Sequence, residues 1–360
     1  MGPNLQLEHI DLNSGSRDTV AALVKLLSPH APYSLHILGT ILNAGQRSMT
    51  IGNVDPSKVF LWSTTPLRLS NDNPPPKLFS ILIFSPIGHD FRFFCSAESS
   101  PEPPTKVEET HVERIFKMVR HMAREESPKY DSVLIMKSAN RGLGPTVRVD
   151  NDPPMIIIGG VHEKWKPCIT KSSECQNPVI RYILPRSTSG SGATLSRSVV
   201  QSSDDLVISQ IRQSDIAFVR AASSIPRSEE YIMSRAAYSV CLRTRGGDEG
   251  DEGGEPVAWA LLHADGSIGA LHVDPQYQRR GLGKLVLNSL AKKLDFGKVD
   301  GEPPSVYDDL GGGALGWNWT DTEWRNDVGN LFFTSWVGRE NGWTCHWTYM
   351  LTHLSDGEQQ

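Results

Sequence analysis

A mixed α/β chain, with helices packed on a mixed sheet in the α+β manner, is what the sequence predicts. Three observations predict it. Short apolar runs of strand length, such as Leu78 to Ser85 and Pro256 to His263, recur along the chain. Longer stretches with apolar residues at helical spacing lie between them, as in Val107 to Arg124. With 31 glycines and 24 prolines the 360 residues are punctuated by many turns, and the length suits two domains.

The elements follow in order. Thr19 to Leu27 has helical spacing with Asp18 as a cap, and Pro29 and Pro32 close it. Ser34 to Leu42, Val59 to Thr64 and Leu78 to Ser85 read as strands, and Phe91 to Cys95 pairs with the last of these as a hairpin. Ser99 to Thr105 is a Pro-rich loop, and Val107 to Arg124 is a helix with Ile115, Met118, Val119 and Met122 on one face. Ser132 to Lys137 and Met155 to Ile158 read as strands. The small, polar stretch Ser187 to Ser198 marks a linker or mobile loop, which places the domain boundary near residue 200: domains 1–200 and 201–360. In the second, Leu206 to Gln210 is a strand, and Asp215 to Ala222 and Glu229 to Ala236 are helices. Tyr238 to Thr244 and Pro256 to His263 are strands joined by an acidic Gly-rich loop, read as a solvated hairpin tip. Ala264-Asp265-Gly266 makes a tight turn into strand Ile268 to Val273, and Gly281 to Leu294 is an amphipathic helix. After an insertion from Asp295 to Leu315 come strand Trp317 to Thr320, helix Val328 to Arg339 and strand Trp343 to Leu351.

Composition narrows the function classes. Charged residues are 21%, hydrophobic residues 38%, and the formal net charge is −5, so no basic excess points to nucleic acid and no basic block beside an apolar stretch points to a membrane. The first thirty residues show no secretory apolar core, and Glu8, Asp11 and Asp18 disfavour a mitochondrial presequence, which sets a cytoplasmic expectation. Five cysteines without a Cys-x-x-Cys pair read as reduced thiols, and no metal-ligand spacing appears. Gly311-Gly312-Gly313 is no phosphate loop, because no Gly-Lys-Ser/Thr follows it.

The informative stretch is Gly266 to Leu290. A strand ends at Val273, Pro275 ends regular pairing, and Gln278-Arg279-Arg280-Gly281-Leu282-Gly283 leads into a helix. The first amides of a helix lack intrahelical partners, and the helix dipole places about half a positive charge there. That terminus is an anion site, suited to a diphosphate. Gly281 and Gly283 admit phosphate oxygens to the backbone, and Arg279, Arg280 and Lys284 supply cations.

The segment Val273 to Gly283 resembles motif A of the Gcn5-related N-acetyltransferase (GNAT) superfamily, a Q/R-x-x-G-x-G/A pattern after a strand ending in a Val-x-Pro-like stretch. More narrowly, Glu255 to Trp259 and Gly266 to Gly283 resemble the C-terminal domain of glycine N-acyltransferase-like and FR47-like proteins, and Pro32 to Thr40 resembles that family's early N-terminal segment. The resemblance implies a GNAT fold for residues 201–360 and a GNAT-like, non-catalytic N-terminal half, which agrees with the absence of QxxGxG before residue 200. It implies acetyl-CoA or another acyl-CoA as co-substrate and transfer to the amine of a small molecule or amino acid by direct attack on the thioester. By position, backbone groups of Leu271, His272 and Val273 would pair with the pantetheine arm, in a gap beside Trp317 to Thr320, and Gln278 to Lys284 would hold the pyrophosphate. Asn330 matches the asparagine that opens the helix after that strand, as an N-cap or a pantetheine contact.

Two departures stand out. The superfamily's usual glutamate base lies eleven residues before the first motif residue, and here that place holds Ser267. A hydroxyl is too weak a base, although it can hold a water. No tyrosine occupies the helix position that often protonates the leaving thiolate; Trp336-Val337 stands there, with Tyr349 as an alternative acid. Substitute bases are His272, whose ordinary pKa suits the role, with Asp265, Asp321 and Glu323. Core packing or an acyl pocket both account for Trp317, Trp319, Trp324, Trp336, Trp343 and Trp347. Besides small-molecule N-acylation, a non-catalytic acyl-CoA-binding module and protein N-acetylation stay open.

Overall fold

A computed structural model describes residues 5–11, 17–46, 60–67, 75–85, 90–126, 155–170, 175–185, 206–223, 227–245, 254–295 and 312–351. The strand expected at Ser132 to Lys137, the linker at Ser187 to Ser198, the acidic hairpin tip and most of the insertion after Asp295 lie outside them. The strands are β1 (Glu8–Asp11), β2 (Phe60–Ser63), β3 (Ser80–Ser85), β4 (Asp90–Cys95), β5 (Met155–His162), β6 (Cys175–Leu184), β7 (Leu206–Ser209), β8 (Ser239–Thr244), β9 (Pro256–Leu262), β10 (Ile268–Val273), β11 (Asn318–Glu323) and β12 (Gly342–Leu351). The helices are α1 (Arg17–Leu27), α2 (Leu35–Gln46), α3 (Lys106–Glu126), α4 (Lys166–Thr170), α5 (Ile216–Ala221), α6 (Glu229–Ser234), α7 (Leu282–Asp295) and α8 (Asp327–Val337).

The mixed α/β class holds. One sheet runs β1-β2-β3-β4-β5-β12-β6-β11 and is mixed, since β4 and β5 are parallel and β3 and β4 antiparallel. The other runs β10-β9-β8-β7 and is antiparallel. The chain divides into two compact units: Met1–Tyr182 together with Thr322–Gln360, and Ile183–Asp321. The C-terminal segment thus groups with the N-terminal part, because β12 lies between β5 and β6.

In the first unit, α3 lays Val112, Ile115, Phe116 and Val119 against Phe91, Phe93 and Trp165, all fully or nearly fully buried. Of Ser34 to Leu42, expected as a strand, Leu35 to Leu42 lies instead in helix α2. From Ser34 to Leu42 every residue is buried, so no polar face marks a helical period. A short run buried on all sides fits a helix as well as a strand. α2 also carries a polar fixing point. The buried Arg181 donates from Nη1 to His36 Nδ1 at 2.9 Å, so His36 Nε2 carries the proton it donates to Phe93 O at 2.8 Å. The described β4–β5 register consists of Phe91↔Ile158 and Arg92↔Gly159, and the Phe93 carbonyl just beyond it is taken by His36.

In the second unit, Ile216, Val219 and Ile232 from α5 and α6 pack against Cys241, Trp259 and Leu261 of β8 and β9. The start of α5 is tied to β8 by a buried ion pair. Arg243 donates from Nη1 to Asp215 Oδ1 at 2.7 Å and from Nη2 to Asp215 Oδ2. Burial raises the Asp215 pKa, but the Arg243 hydrogen bonds and the Arg212 amide outweigh it and hold the carboxyl below its ordinary value.

Candidate active site

β9, a turn, β10, a loop and α7 follow one another in sequence and build the candidate site within the second unit. The turn is closed by His263 N–H donating to Ser267 O at 2.7 Å and Gly266 N–H donating to His263 O at 3.0 Å. Gly266 has φ +84°, and a Cβ there would lie 2.5 Å from Gly313 O and 2.7 Å from the Trp319 ring. Only glycine fits this left-handed, closely covered position. Asp265 Oδ1 accepts both the Ser267 amide, at 3.0 Å, and the Ser267 hydroxyl, at 2.6 Å.

β10 pairs with β9 on one side and forms the edge of its sheet. The register runs Ile268↔Leu262 and Gly269↔Leu261, then resumes at His272↔Trp259 with one extra residue on β10. Ala270 carries the resulting bulge with φ +51°. Leu271, His272 and Val273 lie just past it, each half-buried. The His272 ring stacks on the Trp259 ring, with centroids 4.5 Å apart and planes 24° apart. Burial depresses the His272 pKa, and the Asp274 carboxylate partly opposes this.

Asp274 then turns the chain. Its N–H donates to Val257 O at 2.8 Å, and its Oδ1 accepts the Gln276 amide at 2.9 Å. The Gln278 side chain folds back, donating from Nε2 to Val273 O at 3.1 Å. Gln278 therefore serves the loop by locking it to the strand end. Arg279 has φ +61° and Gly281 φ +77°, on either side of Arg280. Arg280 donates to Gln276 O at 3.2 Å and lies 5.1 Å from the Tyr277 ring centroid. Gln278 through Gly281 and Lys284 are exposed, whereas Leu282 and Gly283 are buried where α7 begins. α7 is anchored by Leu282, Leu285, Val286, Leu290 and Leu294, all buried, and the Leu285 amide donates to Gly281 O at 3.1 Å. The helix front is thus open to solvent, glycine-lined and flanked by Arg279, Arg280 and Lys284. These features fit a diphosphate, whose charge the unpaired amides of a helix terminus and nearby cations balance.

The structure brings Ser267, Leu271, His272, Val273 and Gln278 to Lys284 together on consecutive elements of one unit. Glu323 and Asn330 belong to the other compact unit. Glu323 is exposed at the end of β11. Asn330 is not the helix cap: Asn326 is, accepting the Gly329 amide at 2.9 Å. Asn330 donates from Nδ2 to Glu323 O and Trp324 O, both at 3.0 Å, and accepts from Tyr182 Oη at 3.2 Å. The tryptophans are divided as well. Trp319 is fully buried in the second unit, while Trp324 in the first is 51% exposed. Among the described residues no group of His, Cys, Asp and Glu could hold a metal ion, and no helix is long and apolar enough to cross a membrane.

A polar cluster at the β9–β10 turn escaped the sequence reasoning. His263 Nδ1 lies 2.8 Å from Tyr231 Oη, and Arg227 Nη2 lies 3.3 Å from His263 Nε2. Arg227 and Tyr231 precede His263 by more than thirty residues, so no local spacing signals the contact.

Comparison with known families and structures gives the following. Residues 248–307 match the family model described as FR47-like protein, a span that includes β9, β10 and the loop into α7. A Drosophila protein solved as a structural-genomics target is similar in structure, with TM-score 0.50 and 12% identity over 97% of this chain and 99% of that one. A tandem GNAT protein from the clavulanic acid biosynthesis pathway scores 0.42 at 9% identity over 98% and 100% of the two chains. A GCN5-related N-acetyltransferase-like protein from Streptococcus suis scores 0.39 at 11% identity over 92% and 100%. Comparison with curated proteins returned no match.

Proposed function

We propose that the chain is an acyl-CoA-dependent N-acyltransferase of the GNAT type, in which the C-terminal part from about residue 201 holds the co-substrate. The observation that carries this reading is the exposed, glycine-lined front of α7 with Arg279, Arg280 and Lys284 around it. It lies inside the segment that matches the FR47-like model. The pyrophosphate of acetyl-CoA sits on the amides at that helix front. The outer edge of β10, unpaired within its own sheet, offers backbone groups of Leu271, His272 and Val273 to the amides of the pantetheine arm. Ala270, at the bulge, turns the strand where the thioester would end. An amine of a small molecule or amino acid attacks the thioester carbonyl directly. The sequence before residue 200 carries no second QxxGxG motif.

A second reading has a specific observation behind it. The Ser267 hydroxyl, at the position of the resembled family's glutamate, is committed to Asp265. A chain that binds acyl-CoA without transferring it would keep the loop and lack the base. Calorimetry with acetyl-CoA, followed by thiol release across a panel of primary amines, separates the readings. Binding with amine-dependent release supports the transferase. Binding without release supports the binding module, and absence of binding refutes both.

A further inference from the structure

We propose that His263 is the proton acceptor for the attacking amine, seated on Gly269 and held by Tyr231 and Arg227; this rests on the transferase reading above. Strand alternation puts Ser267 and Gly269 on the same face of the β10 segment, because the bulge begins only after Gly269. In the resembled family that face carries the base. Here Ser267 is turned to Asp265, and the His263 ring covers the neighbouring place. A Cβ on Gly269 would lie 2.3 Å from His263 Nε2 and 2.7 Å from Cδ2. The missing side chain at 269 is therefore what lets the imidazole lie against the strand, one residue before the Ala270 bulge.

The hydrogen bonds set the tautomer. Arg227 has only protons to offer, so Nε2 is the acceptor at 3.3 Å, and Nδ1 carries the proton that it donates to Tyr231 Oη at 2.8 Å. The lone pair thus sits on Nε2, the nitrogen beside Gly269. The Arg227 contact is long for a hydrogen bond and is the one an incoming ammonium displaces. Tyr231 is a fitting partner for an imidazolium. The Arg235 guanidinium lies 5.7 Å from its ring centroid. Burial raises the phenol pKa, against the charges of Arg235 and Arg227, so it stays a neutral acceptor.

The step balances as follows. The ammonium gives one proton to Nε2, leaving a neutral amine and an imidazolium. The amine lone pair forms the C–N bond while the carbonyl π pair moves to oxygen. That pair then re-forms C=O, and the C–S bond breaks with its electrons on sulfur. The proton on Nε2 passes to the thiolate, and the second amine proton is lost to water.

The test uses the full chain, with acetyl-CoA and a panel of primary amines, in the wild type, His263→Gln and Gly269→Ala. Glutamine keeps a hydrogen bond to Tyr231 but takes no proton. The Gly269→Ala methyl leaves His263 and Tyr231 in the chain and displaces the ring. Both variants are expected to bind acetyl-CoA as the wild type does. His263→Gln should lower kcat about 10²–10⁴-fold with little change in amine KM. Nitrogen-15 shifts of the resting imidazole should report the proton on Nδ1. Wild-type kcat in a folded His263→Gln with acetyl-CoA bound would overturn the proposal. So would a proton on Nε2, or a wild type that binds acetyl-CoA and releases no thiol with any amine. Failure to bind acetyl-CoA at all removes the transferase reading itself.

Discussion

The paired change Arg280→Glu and Gly281→Trp is expected to abolish acetyl-CoA binding while leaving the fold in place. Both residues are exposed, so neither change empties a packed site. Gly281 has φ +77°, and a tryptophan held there costs about 1–2 kcal/mol of backbone strain. Losing the Arg280 contact with the Tyr277 ring adds about 0.5–1 kcal/mol at an exposed site. The sum, about 1.5–3 kcal/mol, is within what a cooperatively folded unit tolerates. Binding loses more. A charge-assisted hydrogen bond contributes about 1.5–3 kcal/mol, and the change removes one cation and screens at least one backbone donor with an indole. That is about 3–6 kcal/mol, or roughly 10²–10⁴-fold in Kd, before the repulsion between glutamate and phosphate is counted. Isothermal calorimetry with acetyl-CoA reads the affinity, and circular dichroism melting reads the fold. A folded double variant with wild-type affinity would refute the phosphate cradle at this loop.

Three other outcomes are expected. Gly266→Ala should destabilise by about 2–5 kcal/mol in denaturant unfolding, from a left-handed backbone and a clash with the Gly313 carbonyl and Trp319; a loss under about 1 kcal/mol would contradict the close approach. Asn318 is fully buried and, among the described residues, neither its Oδ1 nor its Nδ2 has a hydrogen-bond partner, so Asn318→Leu should raise the unfolding midpoint by removing a desolvation cost of about 1–3 kcal/mol; a lower midpoint would show that the amide has a partner. Glu98 is buried under Cys95 N–H and Trp165 Nε1–H, at 3.0 and 2.9 Å, and burial pushes its pKa up to about 8. Its folded pKa lies above the unfolded one, so this group's stabilising contribution is full below the ordinary carboxylate range and falls as pH rises to about 8. Glu98→Gln should flatten that decline, and an unchanged pH dependence of the unfolding free energy would exclude Glu98 as its source.

How much was legible depended on how local the cause was. The order β9, turn, β10, loop and α7 is written in adjacent residues: Asp265-Gly266 demands the turn, Pro275 ends pairing, and Gly281 opens the helix. α2 was not legible, because Leu35 to Leu42 are buried on every side and show no period. β6 was missed because Pro178 and Asn177 interrupt an otherwise strand-like run, yet the sheet accepts them opposite His346 and Trp347.

At the candidate site the same division holds. Composition and spacing alone determined the mixed α/β class and the glycine-bearing loop at a helix front, since turn chemistry, helix ends and hydrophobic period act over a few residues. Tertiary structure alone decided that β12 enters the sheet between β5 and β6, that Ser267 is committed to Asp265, and that His263 meets Tyr231 and lies against Gly269. Those outcomes depend on which side chain finds which partner when distant segments are pressed together, and hydrogen-bond geometry at that scale leaves no periodic trace in the chain.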